Sequence, residues 1–163
     1  MRYAQMLITG QTEKVDVPIL SFVLKTKIFF KTMRTVYFYK KKGTIKTFNK
    51  LKKIKIHPKY IFLKQIEEYL FARNISSWTQ TFINLIHIEA ICLERSIVIC
   101  AMLRYLGIPS QVIIARKAAM NASQRYEFHA WVELNGLPIN EVLSTKTLFT
   151  EVDRYPRGEN EIF

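Results

Sequence analysis

The stretch CLERSIVICAMLRYLGIPSQVIIARK, residues 92–117, decides the fold. Its first part reads as one apolar helix over about 92–106. Cys92, Ser96, Ile99 and Leu103 share a face, and Val98, Met102 and Leu106 widen the apolar surface, so the helix belongs in a core. Gly107 falls at the C′ position and Pro109 follows, a regular stop. The period then changes: Val112, Ile113 and Ile114 form a β-branched run of strand type.

Working outward, residues 126–134 alternate over most of their length, Asn135-Gly136 is a hairpin turn signal, and residues 137–141 form the return. A further strand is expected at 148–152. Upstream, three helices are expected. The first, at 18–39, carries Phe22, Phe29, Phe30, Met33, Val36 and Tyr37 on one face and Lys27, Lys31 and Arg34 on the opposite one, and ends at Lys40-Lys41-Lys42-Gly43. The second, at 60–72, places Phe62, Ile66, Tyr69 and Leu70 on one face and ends near Asn74. The third, at about 78–88, is capped by Ser76 or Ser77. Residues 1–17 are weakly patterned. Helices first and a small antiparallel sheet after them make the class α+β.

A chain of 163 residues can bury a full core as one domain, and its aromatic and β-branched content is too high for disorder. No stretch reaches the ~18 uncharged apolar residues of a membrane span, and the first residues carry no secretory h-region. Cys92 and Cys100, eight apart in one helix, are separated by roughly 12 Å of rise, beyond the ~7 Å limit for a disulfide. Free thiols without a secretion signal lead to the expectation of a cytoplasmic protein. The net charge of +12 is uneven: residues 1–65 hold 16 Lys/Arg against two acids, Glu13 and Asp16, and residues 66–163 hold 9 against 11.

The residues that carry chemistry lie in the balanced half. Cys92 sits in the first turn of the apolar helix, where the positive end of the helix dipole favours a thiolate. No Ser, Thr, Asp or Asn precedes it, so this helix start has no side-chain cap in sequence. His129 lies within the later strand, sharing a face with Trp131 and Glu133. A thiol and an imidazole are the nucleophile and base of cysteine proteases and acyltransferases. The bland alternatives are a packed core cysteine and a half-buried packing histidine. A third group would orient the base, and the hairpin offers two. A two-residue loop places Asn140 on the face of His129, whereas a three-residue loop pairs His129 with Glu141. Cys100 reads as core. His57, His87, Cys92 and His129 lack zinc-site spacing and no glycine-rich phosphate loop is present, so no metal and no cofactor is expected.

Cys92-Leu93-Glu94-Arg95-Ser96, Leu103-Arg104-Tyr105-Leu106-Gly107-Ile108-Pro109-Ser110, Val112-Ile113-Ile114-Ala115-Arg116, His129-Ala130-Trp131-Val132-Glu133 and Ile139-Asn140-Glu141 together resemble the protease of lasso-peptide biosynthesis, the B protein. The resemblance spans about residues 84–145. It implies a papain- or transglutaminase-like core, and a cysteine peptidase that removes the leader from a ribosomally made precursor before a partner cyclase closes the ring. Cys92 matches the family nucleophile and His129 the base. The third family position is Asp, and here it is Glu141, with Asn140 one residue earlier. Residues 117–125 form a longer segment than in many relatives, expected as a loop beside the site. Residues 1–80 lack a three-stranded winged pattern, which implies a stand-alone protease with a separate leader-recognition protein. The expected layout is a single domain over 1–163, with a basic, mainly helical part at 1–80 and the catalytic core at 84–155.

From another class, a non-catalytic scaffold of the same fold would hold the precursor for a cyclase. For the basic half, the first expectation is a solvated face over a core helix, and the second is docking of an acidic leader or partner. Peripheral contact with an anionic membrane is a third. Nucleic acid is disfavoured because no recognisable binding motif accompanies the charge.

Overall fold

The computed structural model describes residues 19–117 and 127–157. Both the weakly patterned residues 1–17 and the expected loop after Lys117 lie outside the described residues. Helix α1 (Phe22–Lys52) begins at Ser21, whose hydroxyl accepts from the Leu24 amide at 3.2 Å. It extends well past the expected end. Gly43, at φ +74°, breaks the helical path, and a second helical piece then runs on to Lys52. Positive φ costs glycine little, which is why the break falls there.

The face of α1 differs from its sequence pattern. Ile28, Thr32, Thr35 and Val36 are buried, whereas Phe22, Phe30, Met33 and Tyr37 are exposed. Two of the threonines face the core with their hydroxyls bonded within the helix: Thr35 Oγ1 donates to the Lys31 carbonyl at 2.8 Å, and Thr47 Oγ1 to that of Gly43 at 2.8 Å, whereas the buried Thr32 Oγ1 has no hydrogen-bond partner among the described residues. Hydrophobic periodicity counts these residues as polar and so selects the wrong stripe.

Helix α2 (Gln65–Ile86) replaces the two helices expected at 60–72 and 78–88. Glu67 closes its start by accepting from the amides of Leu63 (3.1 Å) and Lys64 (3.4 Å). Ser76, expected as a cap, is buried in the helix interior. Phe71, Ala72, Ile75, Thr79 and Ile83 are also buried, and this stripe carries the helix through the weak formers Asn74, Ser76 and Ser77.

Helix α3 (Cys92–Tyr105) is the central element, with every residue from Ser96 to Leu103 buried. It ends in a Schellman motif: the Gly107 amide donates to the Arg104 carbonyl and the Ile108 amide to that of Leu103, each at 3.0 Å. Gly107 has φ +88°, and a Cβ there would collide with the His57 carbonyl. The glycine therefore lets the segment before α2 lie directly on the end of α3.

Four strands follow: β1 (Ser110–Lys117), β2 (Phe128–Leu134), β3 (Leu137–Pro138) and, after the one-turn helix α4 (Thr145–Leu148), β4 (Phe149–Tyr155). They form one antiparallel sheet in the order β3-β2-β1-β4. The fold is thus α+β, helices followed by a small sheet. Val112, Val132 and Leu134 join the core formed with α1, α2 and α3, while Ile113, Ala115 and Trp131 form a second cluster with Phe149 on the opposite face. The return strand is shorter than expected, and α4 had no sequence signal.

Replacing Gly107 with Ala adds left-handed strain of ~1–2 kcal/mol to the steric clash. Urea unfolding should show a loss of at least that size.

Candidate active site

Three of the four candidate residues meet at one edge of β2. The hairpin joining β2 to β3 has a two-residue loop, with Asn135 at φ +51° and Gly136 at φ +76°, and pairs Leu134 with Leu137 and Glu133 with Pro138. Beyond Pro138 the chain leaves the ladder. The Ile139 amide still donates to the Val132 carbonyl at 2.8 Å, but the Val132 amide donates to Asn140 Oδ1 at 2.7 Å. A side chain thus substitutes for the next backbone rung. Asn140 is committed to the strand, and Glu141 comes over the imidazole instead. His129 Nε2 donates to Glu141 Oε1 at 3.1 Å. The two-residue loop pointed to Asn140 as the partner, and the side-chain rung shifts that role to Glu141.

The His129 ring is half-buried and framed by aromatic rings, with the Phe149 centroid 5.3 Å away and the Trp131 centroid 6.1 Å away. Trp131 is itself held by Glu133, whose buried Oε1 accepts from Trp131 Nε1 at 3.0 Å and pairs with Lys146 Nζ at 2.9 Å. The shared face of His129, Trp131 and Glu133 is therefore a connected layer. Helix α4 supplies its cation, because a buried carboxylate needs compensation.

Cys92 reaches this edge through α3. Strand alternation points the Ala130 carbonyl to the same side as Val132, where the short β3 does not extend. Ser96 Oγ donates to that carbonyl at 2.9 Å, in place of a strand. One turn further on, Cys100 Sγ contacts the carbonyl of Ser110 at 3.3 Å, and Ser110 pairs with Leu134. The helix therefore runs beside β2 in the same direction. Cys92 stands one turn (~6 Å) before Ser96 on this helix, toward the first residues of β2. The sulfur is partly exposed, and among the described residues it makes no hydrogen bond to His129.

The helix start is organised without a cap, as its sequence indicated: Ile91 makes no capping bond. Arg95 does the work from inside the first turns, donating from Nε to the Ala90 carbonyl (2.7 Å), from Nη2 to that of Ile88 (3.1 Å) and from Nη1 to Asn84 Oδ1 (2.5 Å). Beside it Glu94, buried, pairs through Oε2 with His87 Nε2 at 3.2 Å. These contacts hold residues 87–91 against α3, immediately before Cys92. Neither residue was singled out in the sequence for a role, because an arginine that bonds backbone carbonyls across a loop has no spacing rule.

Cys100 differs from Cys92. It is fully buried, and burial pushes its thiol up to about 11. A raised thiol pKa means the sulfur stays protonated and inert across neutral and mildly alkaline pH. Iodoacetamide should therefore modify Cys92 in the native chain and Cys100 only after unfolding, as read by peptide mass mapping. Separately, Ser96→Ala leaves the Ala130 carbonyl unpaired and should cost ~1–3 kcal/mol by denaturant unfolding.

The family model described as "Transglutaminase-like superfamily" matches residues 64–154. The match begins at α2, ahead of the stretch whose motifs carry the sequence resemblance, and spans more than half of the chain. No curated protein and no solved structure matches. This superfamily includes cysteine peptidases. With helices leading into a four-stranded antiparallel sheet and residues 64–154 matched, the chain belongs to the transglutaminase-like superfamily.

Proposed function

We propose that this protein is a cysteine peptidase that removes the leader segment of a ribosomally made lasso precursor peptide, ahead of ring closure by a partner cyclase. The observation that carries the reading is the His129–Glu141 hydrogen bond at the β2 edge toward which α3 brings Cys92. A carboxylate only accepts, so the bond puts the proton on Nε2 and leaves Nδ1 as the nitrogen that can take one from a thiol. Glu141 then serves as the orienting group and Asn140 as the support that aims it. The resemblance of the Cys92 and His129 motifs to the lasso protease supplies the substrate.

In this mechanism the Cys92 thiol gives its proton to His129 Nδ1, and the thiolate attacks the carbonyl at the leader–core junction. The Cys92 amide, in the uncapped first turn, is a donor for the resulting oxyanion. The imidazolium protonates the leaving amine. Neutral His129 then activates water, which cleaves the thioester and restores the thiol. The thiol–imidazole contact is open in the unliganded chain, and such contacts commonly tighten when substrate binds. The partners in this reading are the precursor, a separate leader-recognition protein and the cyclase.

Reconstitution with precursor and leader-recognition protein, followed by mass spectrometry, tests it. Cys92→Ala should abolish cleavage, by at least ~10³-fold, with the circular dichroism spectrum retained. Glu141→Gln should lower kcat by roughly 10²–10⁴-fold, and Glu141→Asp should restore part of it. Full cleavage by Cys92→Ala would refute the assignment. A wild-type chain that binds precursor without cutting it would instead mark the protein as a scaffold.

A further inference from the structure

Part of the basic charge gathers around the end of α3 far from Cys92. Residues 53–59 lie along this end, held there by the close approach at Gly107 and by Lys59 Nζ, which donates to the Tyr105 carbonyl at 2.6 Å. Two cavities of about 390 and 560 Å³ flank the segment and share Ile54, Lys55 and His57 in their walls. Lys50, Lys53 and Lys59 complete the cationic wall of the first, and Lys52 and Arg104 belong to the second. Among the described residues no acidic side chain lines either one.

This density of cations exceeds what the fold needs. The C-terminal end of a helix carries about half a negative charge, and Lys59 already sits on it through the Tyr105 carbonyl. Lys50 also meets repulsion from α1: burial lowers its pKa first, and Arg34 and Lys31 lower it further. Such self-repulsion weakens the free protein and is relieved when an anion binds.

The lining selects among anions. Among the described residues Tyr105 and His57 are the aromatic side chains in the two cavities, and Lys31 Nζ sits 4.3 Å over the Tyr105 ring, so no run of rings is offered to successive nucleic-acid bases. A bilayer is flat, whereas these cavities are concave with Ile54, Ile56, Pro109 and Pro156 between the cations. Alternating apolar and cationic contacts suit an extended acidic peptide.

We infer that this cleft is an exosite for an acidic stretch of the peptide substrate, an inference that rests on the peptidase reading above. Tyr105 lies 13 residues after Cys92 on α3, roughly 20 Å along the axis. An extended peptide covers ~3.3 Å per residue. The acidic stretch therefore begins about six residues or more from the scissile bond.

Fluorescence anisotropy with the full-length Cys92→Ala chain tests the site without catalysis. The probes are a short glutamate-rich peptide, its glutamine counterpart and a single-stranded oligonucleotide of equal charge. The glutamate peptide should bind saturably, about tenfold tighter than the glutamine one, and weaken at high salt. Lys53→Glu/Lys55→Glu should weaken it by about tenfold. Lys40→Glu/Lys41→Glu, the same charge change on an exposed stretch of α1, should alter it less than about twofold. Equal losses in both variants would reduce the effect to net charge and overturn the exosite. So would absence of saturable binding, or tighter binding of the oligonucleotide at the same lysines. In the cleavage assay Lys53→Glu/Lys55→Glu should raise KM with kcat unchanged. Binding and cleavage are read separately, so failure of the exosite is distinguishable from failure of the peptidase assignment.

Discussion

The hydrogen bond from Ser96 to the Ala130 carbonyl is the contact on which the site depends. A strand edge in this position carries backbone groups that need partners. At Val132 they are taken by Asn140 and Ile139, and at Ala130 by a serine of the central helix. One edge is thus closed partly by the return of the hairpin and partly by α3. The first brings Glu141 to His129, and the second brings the start of α3, with Cys92, to the beginning of β2.

Around that contact the protein is rigid for identifiable reasons. Arg95 ties residues 84, 88 and 90 to the helix start, and the Glu133–Lys146 pair closes the layer under Trp131. Both are buried or half-buried polar arrangements whose members have partners, so they fix geometry as well as contribute stability. Loss of Lys146 leaves the buried Glu133 carboxylate without its cation, which costs more than the bond contributed.

The two ends of α3 have opposite characters. Its beginning holds a thiol, an imidazole and carboxylates in near balance. Its end lies against a set of lysines with no carboxylate among the described residues that line the cavity. A peptide substrate long enough to touch both ends would be held by charge at one and presented to the sulfur at the other. Remote binding of this kind strengthens ground state and transition state alike, and so lowers KM without changing kcat.

The sequence was informative wherever a signal is local. The run 92–109 announced α3 and its glycine stop, Asn135-Gly136 announced the hairpin, and Cys92, His129 and Glu141 were visible from helix start, strand parity and turn. It was silent or misleading where the deciding energy is non-local. Threonines faced the core on α1 against the apolar period, Thr35 and Thr47 with their hydroxyls bonded within the helix. A buried stripe carried α2 through serines that read as a cap. The choice between Asn140 and Glu141 lay beyond parity, because a side chain took a backbone rung. The sequence by itself determined which elements form and which residue types carry the chemistry, since period and turn chemistry are properties of neighbours along the chain. Tertiary structure alone decided which faces turn inward and which carboxylate meets the imidazole, since those depend on partners many residues away.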